Sequence, residues 1–262
     1  MSAVAIIPAR MGSTRFPGKA LACETGTPLV VHVCHRAGSA PSISRVVVAT
    51  DDAAIADAVR AHGYEAVMTG EHPNGTSRIA EAVERLHLGR AETVVNVQGD
   101  EPEIEPGVID GAVIALRTST VLDLARFGSG SGDGPLQWVG TVATPIDDAS
   151  DPNVVKVALG LIEPESGVAP ALYFSRAAIP HAREDATPPR RFRHVGIYAY
   201  RVSALRRYTD MPPTPSERAE RLEQLRWLEH GYSIAAAIRD SDHAGIDTPS
   251  QYEAFVARHA RG

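Results

Sequence analysis

Apolar and polar positions alternate in two patterns along the first hundred residues. Short apolar runs predict β-strands, because a strand buried on both faces reads as a continuous apolar run; they cover 4–9, 45–50, 65–70 and 92–100. Amphipathic stretches between them predict helices over 28–39, 51–63 and 77–89. Strands that alternate with helices indicate βαβ units, so we expect an α/β fold with a mostly parallel central sheet flanked by helices.

The second half of the chain has more strand pattern than helix pattern. Strands are predicted over 136–146, 154–159 and 194–201, with an edge element over 171–180 that ends at a proline. Polar stretches over 128–134 and 184–193 predict loops. A helix is predicted over 216–231, capped by Ser216 and ended by Gly231. We expect one domain, residues 1–262, with a β-rich sub-lobe at about 130–205.

Composition and charge narrow the class of protein. The formal net charge of -6 disfavours a nucleic-acid module, which is usually basic, although local basic clusters leave that possibility open. Two cysteines, Cys23 and Cys34, are too few for a disulfide framework and fit a reducing cytoplasm. No run reaches the roughly 18 apolar residues of a membrane span, and no charged segment precedes the first apolar run as in a signal peptide. We therefore expect a cytoplasmic protein.

The loop that follows the first predicted strand resembles a phosphate-binding P-loop but fails its test. In "IIPARMGSTRFPGKAL", five residues separate Gly12 from Gly18, whereas four separate the corresponding glycines of a P-loop. Ala20 stands where a magnesium-binding hydroxyl is needed, and Pro17 removes a backbone N–H donor. We therefore reject the P-loop interpretation.

The same loop instead suits a triphosphate that is bound by side-chain cations. Arg10, Arg15 and Lys19 supply three positive charges between and beside two glycines. Only two lysines, Lys19 and Lys156, occur among many arginines, which makes each lysine noteworthy. A solvated basic loop is the alternative, and we favour it less.

Two aspartates follow apolar runs and are candidate magnesium ligands. Asp100 ends the run in "NVQGDEP", and Asp247 in "GIDTP" follows a short predicted strand and precedes a helix start at Pro249. Mg²⁺ prefers one or two carboxylates together with phosphate oxygens. Either aspartate could instead be an ordinary helix cap.

Taken together, the motifs resemble those of a known enzyme family. They occur in the order "IIPARMGSTRFPGKAL", "VVVATDD", "EHPNGTSRIAEA", "VNVQGDEP", "DPNVVKV", "ALYFSRAAIP", "RHVGIYAYR", "LEQLR" and "GIDTP". This set resembles the 3-deoxy-manno-octulosonate (Kdo) cytidylyltransferases, or CMP-Kdo synthetases, over nearly the whole chain. The resemblance implies a Rossmann-like nucleotidyltransferase fold, a homodimer, Mg²⁺, and a reaction of CTP with an acid sugar that gives CMP-sugar and pyrophosphate. It also implies that the sub-lobe contributes the acceptor pocket and the dimer interface.

The resemblance also assigns roles to residues of this chain. Catalysis falls to Lys19, Arg10, Arg15 and Asp100, and the metal to Asp100 and Asp247. The nucleotide site comprises Ala9, Arg10, Gly12, Ser13, Arg15, Lys19, Asn74, Gly75, Thr76, Arg78, Gln98 and Asp100. The acceptor pocket comprises Arg176, His194, Tyr198, Glu223 and Gln224.

Departures from the family pattern leave the identity of the acceptor substrate open. Ser77 stands where the family usually has an acidic residue, and His181 where it often has Trp. The segment between Ile179 and His194 is short and arginine-rich, which suggests a smaller or more anionic acceptor than Kdo. A phosphonate-pathway branch of the family, acting on phosphonoformate, is therefore an alternative to a Kdo-like sugar acid. An inactive nucleotide-binding homologue is a further alternative, motivated by Ser77.

Overall fold

A computed structural model of the chain describes residues 2–127, 138–184 and 189–261. These residues form two compact units: residues 1–110 with 242–262, and residues 111–241. The loop predicted at 128–134 lies outside the described residues, as do 136–137 of one predicted strand and 185–188 of the second predicted loop. The prediction of a single domain stays a prediction.

The first unit has the predicted order of strands and helices. Its strands are β1 (Ala3–Ala9), β2 (Ile43–Thr50), β3 (Glu65–Met68) and β4 (Thr93–Asn96). Its helices include α1 (Leu29–Gly38), α2 (Ala53–Ala61) and α3 (Gly75–Arg85), after a 3₁₀ turn at Lys19–Leu21. Helix α8 (Pro249–His259) begins where predicted, behind a capping box of Thr248 and Gln251. No strand precedes Asp247 directly in the described residues, so that detail of the prediction is wrong.

The strand order of this unit creates a natural ligand site. All its pairings are parallel, and the order is β3-β2-β1-β4. The chain therefore moves outward from β1 to β3 and then returns to the other side of β1 to form β4. Ligands of open α/β sheets bind at such a switch point, beyond the carboxyl ends of the strands. A ligand is therefore expected at the loops after β1 and β4.

The sequence pattern does not predict the long helix α4 (Pro106–Phe127). Val108, Ile109, Ala112, Val113 and Leu116 are all buried, and at 3.6 residues per turn they share one broad face of the helix. Ile114 is exposed although it is apolar, and such a residue blurs the amphipathic period on which sequence prediction depends. Within the described residues, no helix is long and apolar enough to cross a membrane.

The second unit is built mainly from antiparallel strands. They are β5 (Trp138–Ile146), β6 (Lys156–Leu159), β7 (Val168–Ser175), β8 (Arg191–Arg201) and β9 (Ser233–Ile238). Their order is β8-β5-β9-β7-β6, and β6 pairs again with β8, so the pairings form a ring. The predicted edge element is wrong on two counts: β7 lies between β9 and β6, and it ends at Ser175 rather than at Pro180.

The helix predicted over 216–231 is also wrong as a single element. The structure has α5 (Val202–Tyr208), then α6 (Pro215–Glu220) and α7 (Gln224–Glu229). Arg221 between the last two has a φ of 54°, a left-handed conformation that ends α6. The N-cap is Thr214, whose amide donates to the Glu217 carboxylate at 3.2 Å, rather than Ser216. The chain therefore turns between α6 and α7, beside the "LEQLR" motif.

Candidate active site

The loop after β1 places Lys19 at the switch point. Gly18 has a φ of 72°, which a residue with a side chain rarely adopts, and it directly precedes the 3₁₀ turn that begins at Lys19. The Gly18 amide donates to the carbonyl of Met11 at 3.3 Å, so the loop folds back on itself. Its tip carries Arg15, which is exposed. The glycine is therefore required by the turn that aims the lysine.

The ammonium of Lys19 is held between the two predicted metal ligands. Its Nζ lies 2.8 Å from Oδ2 of Asp100 and 3.2 Å from Oδ1 of Asp247, and it donates to the carbonyl of Ile246 at 2.8 Å. Arg15 contacts the other oxygen of Asp247 at 2.8 Å. The Asp100 and Asp247 side chains are 30% and 41% exposed, so they are open to solvent. Two cations and two carboxylates thus converge on one accessible point.

Backbone contacts fix the loops that carry these groups. The Ile246 amide donates to the Asp100 carbonyl at 2.8 Å, which joins the segment before Asp247 to the loop after β4. A Cβ on Gly99 would lie 2.7 Å from the Pro8 carbonyl oxygen, so only glycine allows the loops after β1 and β4 to approach this closely. The positions of Lys19, Asp100 and Asp247 are therefore linked.

The residues predicted around the cytidine lie at the start of α3 and after β4. Asn74 caps α3 by accepting from the Ser77 amide at 2.8 Å, and the Ser77 hydroxyl donates to the Asn74 carbonyl. Thr76 is buried. Gly75 packs so closely on β1 that a Cβ on it would lie 3.2 Å from Cγ of Pro8. The side chain of Gln98 donates to Asn96 at 3.5 Å. Ser77 thus serves the helix start, where the family's acidic residue is missing.

Arg78 forms a buried ion pair rather than an exposed contact. It is 3% exposed, and its guanidinium donates to Asp51 at 2.7 Å, to the Thr69 hydroxyl at 2.7 Å and to the Gly70 carbonyl at 3.3 Å. These contacts join α3 to the ends of β2 and β3. The predicted contact of Arg78 with cytidine stays a prediction.

The remaining nucleotide-site predictions lie along the loop after β1. Ala9 is the buried last residue of the strand, and Arg10 and Gly12 lie at the start of the loop, where Arg10 is exposed. The Ser13 hydroxyl accepts from the Phe16 amide at 3.4 Å. Among the described residues, Arg10 makes no ion pair, whereas Arg15 and Lys19 both do.

In the second unit, the predicted acceptor residues His194 and Tyr198 lie on β8. The Thr141 hydroxyl is 2.7 Å from the Ile197 carbonyl, to which it donates, so it accepts from the Nε2–H of His194 at 2.9 Å. Burial, with Arg193 nearby, lowers the pKa of His194 to about 3. The imidazole is therefore neutral, with the proton on Nε2, and Nδ1 is a hydrogen-bond acceptor. Burial also raises the pKa of Tyr198.

Arg176 is anchored from two sides in the same unit. Its Nε donates to the Glu220 carbonyl at 2.9 Å, and one terminal nitrogen donates to the Pro152 carbonyl at 3.2 Å. The Arg176 amide donates to the Glu220 carboxylate, which also accepts from Ser175. These contacts hold the arginine between α6 and the loop before β6.

The other predicted acceptor residues lie at the turn between α6 and α7. Gln224 is buried at the start of α7, and Glu223 precedes it. Trp227 of α7 stacks on Tyr200 of β8, with 5.7 Å between the ring centres. This stacking brings α7 to the strand that carries His194.

The arginines before His194 are engaged within the protein. Arg193 donates to the Ser241 carbonyl, and Arg191 donates to the Pro180 carbonyl at 3.3 Å. The guanidinium of Arg190 lies 5.2 Å from the centre of the Phe192 ring. These contacts weaken the inference from the sequence that this segment selects a more anionic acceptor.

Sequence reasoning missed His243 in the first unit. Its side chain is 2% exposed, with Nδ1 at 2.6 Å from Glu105 and Nε2 at 3.5 Å from Glu101. Burial alone would lower the pKa of His243, but the two carboxylates outweigh it and raise the pKa. This side chain ties the segment before Asp247 to the residues after Asp100. No motif signals it, because its partner Glu105 is 138 residues away in the chain.

Known proteins resemble this chain over nearly its whole length. The family model described as cytidylyltransferase matches residues 4–234. The 3-deoxy-manno-octulosonate cytidylyltransferase of Mesorhizobium japonicum is 45% identical over 97% of both chains. That of Syntrophobacter fumaroxidans is 43% identical over 98% of this chain and 96% of its own.

Solved structures give the same result. A CMP:2-keto-3-deoxy-manno-octonic acid synthetase complexed with CTP matches with a TM-score of 0.85, at 36% identity over 100% of this chain and 99% of its own. A nucleotidyl transferase from Methanothermobacter matches the fold alone, with a TM-score of 0.57 at 14% identity over 99% of this chain and 98% of its own. The predicted Rossmann-like nucleotidyltransferase fold is thereby confirmed. The chain belongs to the cytidylyltransferase family, and within it to the CMP-Kdo synthetases, which are enzymes that use CTP.

Proposed function

We propose that this cytidylyltransferase transfers CMP from CTP to a 3-deoxy sugar acid of the octulosonate type and releases pyrophosphate. The observation that carries the nucleotide half is the Lys19 ammonium between Asp100 and Asp247 at the switch point of a parallel sheet. The acceptor class follows from the names of relatives that match nearly the whole chain.

Lys19 and Arg15 are suited to exchange their present partners for phosphate. Each contacts a carboxylate oxygen at 2.8 Å, and a phosphate oxygen offers the same charge and acceptor geometry. We assign the triphosphate to these two cations and to Arg10, with Gly12 and Ser13 lining the loop. We assign the cytidine to Asn74, Gly75, Thr76, Arg78 and Gln98.

Asp100 and Asp247 fit a magnesium site. Their carboxylate oxygens converge, and both side chains are open to solvent. Within the described residues, no group of three or more His, Cys, Asp and Glu side chains could hold a metal ion. Mg²⁺ needs only one or two carboxylates besides phosphate oxygens, so this donor set suits it. When bound, Mg²⁺ would neutralise charge on the triphosphate.

The proposed site for the acid substrate combines a cation, Arg176, with a neutral group that accepts hydrogen bonds, His194. We assign Arg176 to a carboxylate of the substrate, for which its planar guanidinium is suited. Nδ1 of His194 carries no proton, so it can accept a hydrogen bond from a hydroxyl group but cannot donate one to an anion. A hydroxylated acid satisfies both groups, whereas a phosphonate without hydroxyls satisfies only Arg176. Tyr198, Glu223 and Gln224 complete the proposed pocket.

The chemistry is an in-line displacement. An acceptor hydroxyl oxygen bonds to the α-phosphorus as the bond to the bridging oxygen breaks, pyrophosphate leaves, and the hydroxyl proton passes to solvent. Lys19 stabilises the charge that develops between the α-phosphate and the leaving group. No covalent intermediate with the enzyme is required, because positioning and charge neutralisation supply the catalysis.

The test measures pyrophosphate release from CTP and Mg²⁺ with each acid in turn. We expect release with 3-deoxy-manno-octulosonate and none with phosphonoformate, and mass spectrometry should detect the CMP-sugar. Release with phosphonoformate alone would overturn the acceptor assignment. An Asp100→Ala variant should lose turnover, and a fully active one would overturn the metal assignment.

A phosphonate acceptor and an inactive state gain no support from the relatives. These proteins are named for an octulosonate acceptor and for cytidylyl transfer. The lysine and the two aspartates that the proposed reaction needs are all present in this chain. The octulosonate-type acid is therefore the acceptor that we propose.

We also infer a homodimer. Leu161, Leu172 and Tyr173 of the second unit are exposed apolar side chains, which a second copy of the chain could cover. Sedimentation of the purified chain should give twice the 27.9 kDa of one chain, and a monomer would contradict the inference. The cytoplasmic location stays a prediction.

A further inference from the structure

Lys156, the second of the two lysines, is fully buried at the start of β6. The residue is 0% exposed, and its ammonium donates to the carbonyls of Asp151 and Val154 at 2.7 and 2.6 Å. A buried ammonium is costly unless it is hydrogen-bonded and compensated by charge. Burial is the main cause that lowers the pKa of Lys156, and nearby Asp151 opposes the shift. A neutral side chain would avoid this cost, so the charge needs a reason.

The two carbonyls belong to a short loop that also holds the acceptor residues. The Pro152 carbonyl lies between them in the chain and accepts from Arg176 at 3.2 Å. The Val155 carbonyl follows them and accepts from the His194 amide at 2.8 Å. The loop that Lys156 fixes from inside thus contacts Arg176 on one side and His194 on the other.

Strand register places Lys156 between the same two residues. It lies opposite Ser175 of β7 and opposite Arg193 of β8. Arg176 directly follows Ser175 in the chain, and His194 directly follows Arg193. Lys156 is therefore the point at which the strands of both acceptor residues meet.

We propose that Lys156 is a positioning residue for the acceptor: its ammonium fixes the loop at 151–155 so that Arg176 and His194 are held at the spacing that the acid requires. It acts through these residues and does not touch substrate. The inference rests on the proposed function, in which Arg176 and His194 bind the acceptor. A merely structural lysine would affect stability alone, whereas a positioning residue changes the KM for one substrate.

The test compares KM values of the wild type and Lys156→Met, whose unbranched side chain is one atom shorter and donates no hydrogen bond. We expect the KM for 3-deoxy-manno-octulosonate to rise about tenfold, as for the loss of a hydrogen bond to a charged group. The KM for CTP should stay within about twofold, since its proposed residues lie in the other unit. If Lys156→Met does not fold, Lys156→Gln, whose amide can still donate to one carbonyl, serves in its place.

Two control variants separate the possible failures. Leu205→Ala removes a fully buried side chain of α5 and should lower stability without raising the KM for the acid; an equal rise in both variants would overturn the proposal. Arg176→Ala tests the proposed acceptor site itself. If Arg176→Ala raises the KM for the acid and Lys156→Met does not, only the inference on Lys156 fails. If Arg176→Ala leaves it unchanged, the proposed acceptor site fails.

Discussion

The two lysines are held in opposite ways, one in each unit. Lys19 is 15% exposed and faces two carboxylates that are themselves open to solvent. Lys156 is fully buried and faces two backbone carbonyls. Solvent-exposed carboxylates can be exchanged for phosphate, whereas carbonyls of a packed loop cannot. The type of partner thus distinguishes the lysine that we assign to substrate binding from the lysine to which we assign a positioning role.

The substitution Lys19→Met should have the largest effect on turnover. We expect kcat/KM to fall about 10²–10³-fold, as when one charge-stabilising donor is removed from a transition state. The free energy of unfolding should change by about 1 kcal/mol or less, because the ion pairs of Lys19 are partly exposed. Pyrophosphate release and chemical denaturation measure the two effects. A large loss of stability with intact turnover would reverse the roles of the lysines.

Substitution of Arg78 tests whether the burial of a cation, rather than the unit in which it lies, determines how much its loss lowers stability. Arg78→Met leaves Asp51 without its buried partner and should lower the free energy of unfolding by about 3–5 kcal/mol. The control is Arg60→Met, which breaks an exposed pair with Asp57 and should cost about 0–1 kcal/mol. Equal losses in urea denaturation would show that burial does not matter here.

His194 should make stability sensitive to acid. Its pKa falls from 6.5 in the unfolded chain to about 3 in the folded protein, so only the unfolded state gains a proton between these values. Stability is therefore lost as pH falls below about 6.5, by roughly 1–2 kcal/mol at pH 5. The free energy of unfolding, measured at pH 7 and pH 5 for the wild type and for His194→Gln, isolates this contribution. A pH dependence unchanged in the variant would contradict it.

His243 should give the smallest effect, with the opposite sign. Its pKa is raised in the folded protein, so its contribution is fully present below about pH 6.5 and is lost as pH rises through the folded value. We expect about 1 kcal/mol, because Glu105 is 37% exposed and partly solvated. The difference in unfolding free energy between wild type and His243→Gln should shrink from pH 6 to pH 9. A difference that grows would show that His243 is neutral.

The switch-point site is predictable from the sequence because local pattern and topology agree there. Apolar runs end before Arg10 and before Asp100, and parallel strands bring such ends together. The roles of His243 and Lys156 are not predictable in this way, because their partners are set by loops that no periodicity describes. Neither glycine nor proline marks the break at Arg221, and the amphipathic pattern continues into α7. The position of β7 inside its sheet also escapes prediction, because sheet order is a property of the whole unit.

The ring of strand pairings in the second unit limits how another chain can join it. Each of its five strands has a neighbour on both sides in the described part of the unit. Exposed edges are the usual templates for strand addition and for amyloid-like growth. A second copy that binds this unit would therefore meet side chains such as Leu161 and Leu172 rather than backbone amides. The paired strands of this unit thus disfavour growth by edge-to-edge strand addition.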